Sequence, residues 1–263
     1  MDLGTTGRVA VVTGGSSGIG LATARALLAE GADVAICGRN AERLAGAARE
    51  LRSAHGDGRV LAEACDVTRE ADVVAFAGAV GAWRPRLDIL VNNAGEGRMS
   101  TFANTTDEQW RAELELKFFS QIYPVRAFRP LLEKSDAGAI IAVNSLLALQ
   151  PEPYMVCTSA ARAGVQSLVK SLAREFAPKI RVNSIVLGLI DSGQWERRFQ
   201  ARENKAQSRA EWMEELAAGK HIPMRRLGDP AEVARAIVFM ASPAASFITG
   251  ATLEVSGGVS RHI

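Results

Sequence analysis

Residues 13–20 read Thr13-Gly14-Gly15-Ser16-Ser17-Gly18-Ile19-Gly20, between an apolar run and an amphipathic segment. Its glycines permit a tight turn and a close approach of backbone N–H groups, and a helix that begins here offers unpaired donors and the positive end of its dipole to a phosphate. Such a loop alone is weak evidence, because many strand-to-helix turns need glycine for geometry. Here strand, loop and helix follow in the order that pyrophosphate binding requires.

The chain around this loop alternates short apolar runs, rich in β-branched residues, with amphipathic segments, which predicts a parallel sheet covered by helices on both faces. The predicted strands span residues 8–13, 32–37, 60–65, 87–91, 138–144, 180–187 and 251–255. A chain of 263 residues, 48% of them hydrophobic, can bury one substantial core. We therefore expect a Rossmann-type, doubly wound parallel sheet in a three-layer α/β/α single domain spanning residues 1–263.

Helix boundaries are also marked in the sequence. Residues 21–30 place apolar side chains on one face and stop at Gly31, as a helix packed on a sheet should. Thr105 and Glu108 have the spacing of a capping box that opens the next long helix. Pro124 predicts a kink or an early end of that helix.

Composition and charge exclude several classes of partner. A formal net charge of +2, with both signs spread along the chain, gives no reason to expect nucleic acid or a membrane surface as a partner. Cys37, Cys65 and Cys157 are odd in number and lie in apolar runs, which predicts buried free thiols, and the three isolated histidines predict no metal site. The N-terminus resembles no signal peptide, and no stretch reaches about 18 apolar residues, so we expect a cytoplasmic protein.

Several further motifs extend the pattern to both ends of the chain. Asn92-Asn93-Ala94-Gly95 follows the fourth predicted strand, Asp66-Val67 follows the third, and Ile248-Thr249-Gly250 precedes Gly257-Gly258 near the C-terminus. Together with residues 13–20, these motifs resemble those of the short-chain dehydrogenase/reductase family over essentially the whole chain. Each has a purely structural alternative: Asp66 could cap a turn, and the two asparagines could satisfy loop backbone.

The resemblance implies a nicotinamide dinucleotide site. The family's loop after the sixth strand has its counterpart in Leu187–Ser192, where leucine replaces the proline and Ser192 replaces a threonine. The cofactor-binding residues that the resemblance implies are Gly14, Ser16, Ser17, Gly18, Ile19, Gly20, Asp66, Val67, Asn93, Ala94, Gly95, Gly188, Ile190 and Ser192.

The end of the second strand indicates which cofactor binds. An acidic residue there would accept hydrogen bonds from the adenosine ribose and repel a 2′-phosphate. This chain has Gly38-Arg39-Asn40, and a guanidinium can make a charge-assisted contact with a 2′-phosphate. We therefore expect NADP(H) rather than NAD(H), with Arg39 and either Ser16 or Asn40 beside the phosphate. The alternative is that Arg39 is a solvated residue at the start of the next helix.

The reactive positions depart from the family's pattern. Counting back from Ser171-Leu172-Ala173 places the family's lysine at Arg162 and its tyrosine at Thr158, and the catalytic serine thirteen residues before the tyrosine is Ser145. The family's asparagine position, counted from Trp110, is Lys117. The resemblance thus implies a tetrad of Lys117, Ser145, Thr158 and Arg162 in place of Asn, Ser, Tyr and Lys.

These replacements bear on proton transfer. A threonine has no accessible anionic form near neutral pH, and an arginine keeps its charge, so neither repeats the family's acid–base role. If Lys117 is buried beside Arg162, its pKa falls and it becomes a candidate acid or base. Alternatively, it points to solvent or pairs with Glu113 or Glu115. Tyr154 is a further candidate acid, placed by its neighbouring prolines at the mouth of the helix that carries Thr158.

The substrate side is defined less sharply. Leu146-Leu147-Ala148-Leu149 favours an apolar or aromatic small molecule, although leucines after a strand are commonly core. The polar, charge-rich segment 191–220 is either a surface excursion or a lid over the substrate. The resemblance also implies a homodimer or homotetramer formed through helices near 106–134 and 153–177 and the C-terminal strand.

We expect an NADP(H)-dependent oxidoreductase acting on a carbonyl or secondary alcohol with an altered proton donor. One alternative is a non-redox lyase or isomerase in which Lys117 and Ser145 transfer the proton. Another is a catalytically silent nucleotide-binding protein. A Tyr154 hydroxyl directed at Ser145 would favour redox chemistry.

Overall fold

The structure is a computed structural model that describes residues 2–202 and 204–261. Seven parallel strands form one sheet in the order β3-β2-β1-β4-β5-β6-β7. The strands are β1 Val9–Thr13, β2 Asp33–Gly38, β3 Val60–Ala64, β4 Ile89–Asn92, β5 Gly138–Ser145, β6 Ile180–Leu187 and β7 Thr252–Val255. Every predicted strand is present within two residues of its predicted ends, which confirms the doubly wound sheet in a single domain.

Two apolar layers sandwich the sheet. The helices are α1 Gly18–Ala29, α2 Ala41–His55, α3 Glu70–Trp83, α4 Asp107–Leu114, α5 Ser120–Leu132, α6 Val156–Phe176, α7 Gly193–Gln200, α8 Arg209–Gly219 and α9 Pro230–Ala241. On one face Leu27 of α1 packs in the same buried cluster as Ile237 of α9. On the other, Phe76 and Phe128 pack edge to face with ring centroids 5.5 Å apart. Since helices cover both faces, the central strands β1, β2, β4 and β5 are buried and mainly apolar, whereas the edge strands β3 and β7 are partly exposed.

The start of α4 differs from the prediction by one residue. Thr106, not Thr105, is the N-cap, and its capping-box partner is Gln109 rather than Glu108. The Thr105 hydroxyl instead donates to the carbonyl oxygen of Thr101. Thr105 and Thr106 each precede an acidic or amide side chain by three residues, so the sequence is compatible with either threonine as the N-cap. The path of the preceding loop determines which of them caps the helix.

The predicted break at Pro124 is also displaced. A π-helical turn, Glu115–Phe119, joins α4 to α5, and α5 then continues through Pro124. The distortion therefore lies one turn before the proline, and π-helical turns of this kind frequently occur at functional sites. This one carries Lys117.

The polar segment after β6 folds into two helices, α7 and α8. Arg209 joins them, since its guanidinium contacts Asp191 at 2.6 Å and Glu196 at 2.9 Å. Trp195 and Met213 pack against a small buried cluster that includes Ile222. Within the described ranges no helix is long and apolar enough to cross a membrane, and no group of His, Cys, Asp or Glu has the arrangement of a metal site.

Candidate active site

The loop after β1 is shaped by glycine. Gly14 and Gly18 have φ angles of 66° and 54°, which L-residues with a side chain rarely adopt. At Gly20 a Cβ atom would lie 2.3 Å from the carbonyl oxygen of Gly14. The side-chain amide of Asn93, in the loop after β4, donates a hydrogen bond to the carbonyl oxygen of Thr13 at the end of β1, at 2.9 Å. The loops after β1 and β4 are therefore held together at the carboxyl edge of the sheet.

A cleft of about 1010 Å³ opens at this edge. It lies where ligands bind in doubly wound sheets, outside the carboxyl ends of the strands. Fourteen of the predicted cofactor residues line it, namely Gly14, Ser16, Ser17, Gly18, Ile19, Arg39, Asp66, Val67, Asn93, Ala94, Gly95, Gly188, Ile190 and Ser192. The structure thus brings together residues from five separate loops.

Two predicted cofactor residues lie outside the cleft as the structure describes it. Gly20 packs against Gly14 and Asn93, so its role is to let the two loops approach. Asn40 is the N-cap of α2, and its side chain accepts a hydrogen bond from the backbone N–H of Arg43 at 2.8 Å. Capping uses only the side-chain oxygen of Asn40, so a contact between its amide NH2 group and a phosphate stays a prediction.

Arg43 lines the cleft and was not predicted. Its Nε donates to the hydroxyl oxygen of Ser16 at 3.4 Å. Together with Arg39 it places two guanidinium groups at one end of the cleft. The sequence contained a signal for Arg43, because it lies in the first turn of the helix that starts just after Arg39. Asp66 lines the cleft, and its carboxylate caps a turn by accepting hydrogen bonds from the backbone and hydroxyl of Thr68 at 3.0 and 2.7 Å, while its contact with a cofactor stays a prediction.

The cleft residues fit a nicotinamide dinucleotide. A Cβ at Gly14 would lie 3.0 Å from the Cα of Ala94, and one at Gly188 would lie 2.8 Å from the Cα of Ser256, so neither position has room for a side chain. The cleft is therefore walled by backbone at Gly14 and Gly188. The N-terminus of α1 opens onto the cleft at Ser17 and Gly18, where its unpaired N–H groups favour a phosphate.

Ser145, Thr158 and Arg162 meet in the same cleft. Ser145 ends β5, and its hydroxyl oxygen accepts a hydrogen bond from the backbone N–H of Leu147 at 3.3 Å. Thr158 and Arg162 lie one turn apart on α6. The Arg162 guanidinium donates to the carbonyl oxygen of Val143 at 2.8 Å, and burial lowers its pKa to about 10.

Lys117 is 1% exposed and lies outside the cleft lining in the described part of the chain. Its Nζ is 2.7 Å from Oε2 of Glu113, an ion-pair distance, but at an angle that leaves Nζ without a well-formed hydrogen bond among the described residues. Burial lowers the pKa of Lys117; Glu113 opposes this shift and Arg162 adds to it. Lys117 was predicted either to be buried beside Arg162, or to point to solvent or pair with Glu113 or Glu115. The prediction of solvent exposure is wrong. Burial near Arg162 and pairing with Glu113 occur together.

Glu113 is the residue that sequence reasoning underrated. It is 3% exposed, and the same Oε2 that contacts Lys117 accepts a hydrogen bond from the Thr158 hydroxyl at 2.7 Å. The Thr158 hydroxyl lies 3.4 Å from the carbonyl oxygen of Arg98 as well. The spacing of Glu113 and Lys117 on one helix was visible in the sequence, but the contact with Thr158 depends on how α4 packs against α6.

Tyr154 lies at the mouth of the cleft and is 39% exposed. Its ring faces Lys220, whose Nζ is 5.6 Å from the ring centroid. Because α6 begins at Val156, Tyr154 precedes the helix, as its neighbouring prolines predicted. The backbone carbonyl of Tyr154 accepts a hydrogen bond from Ser100 at 2.9 Å.

Comparisons with known proteins agree with this geometry. A family profile described as enoyl-(acyl carrier protein) reductase matches residues 14–260. The chain is 38% identical to a hexahydroindene-carboxyl-CoA reductase of Mycobacterium tuberculosis, over 95% of this chain and 92% of that one. It is 34% identical to a 3-oxoacyl-acyl-carrier-protein reductase of Chlamydia muridarum, over 96% and 97% of the two chains. The chain belongs to the short-chain dehydrogenase/reductase family of oxidoreductases.

Solved structures are similar over nearly the whole length. An apo short-chain oxidoreductase from Pseudomonas aeruginosa, described as containing an atypical catalytic center, has 58% identity and a TM-score of 0.94, with 97% of this chain and 98% of that one covered. An NADPH-bound structure described in the same words has 57% identity and a TM-score of 0.93, with the same coverage. L-sorbose reductase from Gluconobacter frateurii, complexed with NADPH and L-sorbose, has 35% identity, a TM-score of 0.95 and full coverage of both chains.

Proposed function

We propose that this protein is an NADP(H)-dependent oxidoreductase that interconverts a carbonyl and a secondary alcohol through an altered tetrad of Lys117, Ser145, Thr158 and Arg162. One observation carries the proposal. Ser145, Thr158 and Arg162 line the same cleft as Arg39 and the glycine-rich loop, so a dinucleotide bound by the loop would extend toward them.

The choice of NADP(H) over NAD(H) rests on charge. Arg39 and Arg43 line the cleft beside Ser16, and the end of β2, Gly38-Arg39-Asn40, has no carboxylate. Guanidinium groups bind phosphate by charge-assisted, bidentate contacts. The NADPH-bound relatives support the same choice. When bound, the reduced cofactor supplies hydride to the carbonyl carbon of the substrate.

The residues at the other end of the cleft have separate roles. Ser145 donates a hydrogen bond to the substrate oxygen, as its position at the end of β5 allows. Arg162 keeps its positive charge near neutral pH, since its lowered pKa of about 10 still lies well above 7, and so it favours the negative charge that develops on this oxygen. Thr158 lines the cleft beside them, with its hydroxyl bonded to Glu113.

The substrate is a small molecule with an apolar or aromatic body. Leu146, Leu147 and Trp195 line the cleft beyond Ser145, and Trp195 belongs to the segment 191–220, which we propose acts as a lid. The ion pairs of Arg209 fix the two lid helices to each other and to the end of β6. Removing the side chain of Trp195 is expected to raise KM more than it lowers kcat.

The alternative of a non-redox enzyme gains no specific support. It requires Lys117 to reach the substrate, and the structure places this side chain behind the cleft lining rather than in it. A steady-state assay of NADPH oxidation and NADP reduction across a panel of ketones and alcohols tests the proposal. Turnover with at least one member supports it; tight NADPH binding without turnover on any member would favour the silent nucleotide-binding protein.

Assembly into a homodimer or homotetramer completes the proposal. The predicted interface helices correspond to α4, α5 and α6, and Leu114 of α4 exposes an apolar side chain to solvent. Sedimentation at micromolar concentration should give a species at two or four times the 28.0 kDa chain mass. A 28.0 kDa species alone would contradict this part of the proposal.

A further inference from the structure

Thr158 separates the cleft from a buried ion pair. Its side chain lines the cleft, whereas neither Glu113 nor Lys117 does so among the described residues. On its far side the Thr158 hydroxyl donates to Oε2 of Glu113 at 2.7 Å, and the same oxygen lies 2.7 Å from Nζ of Lys117. An ammonium, a carboxylate and a hydroxyl thus follow one another from the interior to the cleft.

A threonine hydroxyl alone cannot serve as the acid in a carbonyl reduction, because its anion is inaccessible near neutral pH. It can do so if it receives a proton while it gives one away. That requires a second group in hydrogen-bond contact with Oγ1 that can pass a proton to it. The Glu113 carboxylate, which accepts the Thr158 hydroxyl hydrogen at 2.7 Å, becomes such a group once it takes a proton from Lys117, and the Thr158 hydroxyl then turns its own hydrogen toward the cleft.

We propose that Lys117, Glu113 and Thr158 form a proton relay that supplies the substrate oxygen from the protein interior. The relay rests on the oxidoreductase function proposed above and identifies its proton source. It assigns Glu113 and Lys117 to proton transfer without contact between either side chain and the substrate.

The protons and electrons balance in the reduction. The carbonyl carbon gains hydride, with its electron pair, from the reduced nicotinamide, and the carbonyl π bond breaks. The substrate oxygen takes the hydroxyl proton of Thr158, and Oγ1 takes a proton from the Glu113 carboxyl group. Glu113 has received that proton from the ammonium of Lys117, so the net result is one alcohol and one neutral lysine. After the product leaves, a proton from water in the cleft returns to Lys117 through Thr158 and Glu113. Alcohol oxidation runs the same steps in reverse.

The surroundings of Lys117 favour release of its proton. Burial lowers its pKa, and the positive charge of Arg162 on α6 acts in the same direction. Glu113 on α4 and Glu96 in the loop after β4 act in the opposite direction by favouring the charged lysine. A lysine whose pKa is closer to neutral is a better proton donor at physiological pH than an ordinary one.

The first test uses two substitutions outside the cofactor loops. Thr158→Val removes one hydroxyl and leaves the ion pair in place, and Glu113→Gln keeps the shape of the side chain but cannot carry a proton. Each should lower kcat by about 10²–10⁴-fold, with KM and the Kd for NADPH nearly unchanged. The double variant should be no worse than either single variant, because members of one relay act as a unit.

Two controls separate a relay from a structural role. Thr158→Ser keeps the hydroxyl and should restore most of the activity. Glu115→Gln removes a carboxylate two residues from Glu113 on the same helical stretch and should leave kcat unchanged. If Glu113→Gln does not fold, the kcat values of Thr158→Val and Thr158→Ser still test whether the hydroxyl takes part in the relay. Parent-like kcat in Thr158→Val would overturn the relay while leaving the oxidoreductase intact, whereas absence of turnover in the parent would overturn the proposed function itself.

A second test needs neither cofactor nor turnover. In cofactor-free protein with 13C-labelled lysine, the NMR signal of Lys117, assigned with Lys117→Arg, should titrate below the usual range for lysine. Glu113→Gln should lower the pKa of Lys117 further, because the carboxylate favours the charged lysine. An unchanged pKa of Lys117 in Glu113→Gln would show that the two groups are uncoupled and would overturn the relay. Glu115→Gln should leave this pKa where it is.

Discussion

The Nε of Arg43 lies 3.4 Å from the hydroxyl oxygen of Ser16, so a second guanidinium joins Arg39 in the lining of the cleft. The carboxylate that would select NAD is absent from this strand end, where the sequence is Gly38-Arg39-Asn40. Because Asn40 caps α2 and fixes the first turn of that helix, it also fixes where the side chain of Arg43 begins.

Two substitutions test the role of this pair in cofactor choice. Arg39→Asp should reverse the preference for NADPH over NADH. Arg43→Ala should weaken NADPH binding by about 10- to 150-fold, since a hydrogen bond to a charged group contributes about 1.5–3 kcal/mol. Fluorescence titration with both cofactors measures the effect. Arg49→Asp, on an exposed part of the same helix, is the control and should change neither affinity. Equal affinity of the parent for NADPH and NADH would refute the assignment.

Gly20 offers a test of the loop geometry. In Gly20→Ala the new Cβ would lie 2.3 Å from the carbonyl oxygen of Gly14, so the loops after β1 and β4 must separate. We expect a lower melting temperature and much weaker NADPH binding. Gly78→Ala is the matched control, because nothing lies within 4 Å of its Cβ and alanine favours helix α3 by about 0.5–1 kcal/mol. Comparable losses in the two variants would contradict the packing described for Gly20.

The buried pair predicts a non-additive effect on stability. Lys117→Met leaves Glu113 buried without its cation and should lower the free energy of unfolding by about 3–5 kcal/mol. Glu113→Gln combined with Lys117→Met removes both charges and should regain most of this loss, as measured by urea denaturation. If the double variant is as unstable as the sum of the two single changes, the pair does not behave as a buried ion pair.

The ion pair of Lys117 and Glu113 also predicts how the free energy of unfolding depends on pH. The pKa of Lys117 is lower in the folded protein than its ordinary value of 10.5, so the unfolded chain binds more protons between these two values. Stability of the parent relative to the double variant should therefore rise as pH increases through that window and stay constant below it. Urea midpoints measured from pH 7 upward would reveal the trend, and a relative stability that falls across the window would have the wrong sign.

Tyr154 is expected to contribute to the wall of the cleft rather than to proton transfer. Its ring is at the mouth, beside Lys220, and the relay supplies the proton from the opposite side of Thr158. Tyr154→Phe should therefore raise KM modestly. Any decrease in kcat should be much smaller than the roughly 10²–10⁴-fold decrease expected when a general acid is lost. A loss of that size in kcat would make Tyr154 the proton donor and exclude the relay.

The central strands β1, β2, β4 and β5 could be predicted because they are buried on both faces, so their apolar runs are nearly continuous. The edge strands β3 and β7 are partly exposed and have shorter apolar runs. Ser145, Thr158 and Arg162 could be placed by counting, since a strand end and a helix register fix their spacing. Glu113 could not be recognised in the same way. Its helix has a mostly polar surface, and its burial follows from the packing of α4 against α6 and from the π-helical turn that carries Lys117.

In the proposed reaction, hydride passes between the cofactor and a carbonyl carbon in the cleft of Ser145 and Thr158. The most direct measurement is a single-turnover reduction with NADPH deuterated at the transferring position of the nicotinamide, followed by mass spectrometry of the alcohol. We expect one deuterium on the former carbonyl carbon and a rate that falls strongly in Ser145→Ala. A product without deuterium, or a Ser145→Ala variant as fast as the parent, would contradict it.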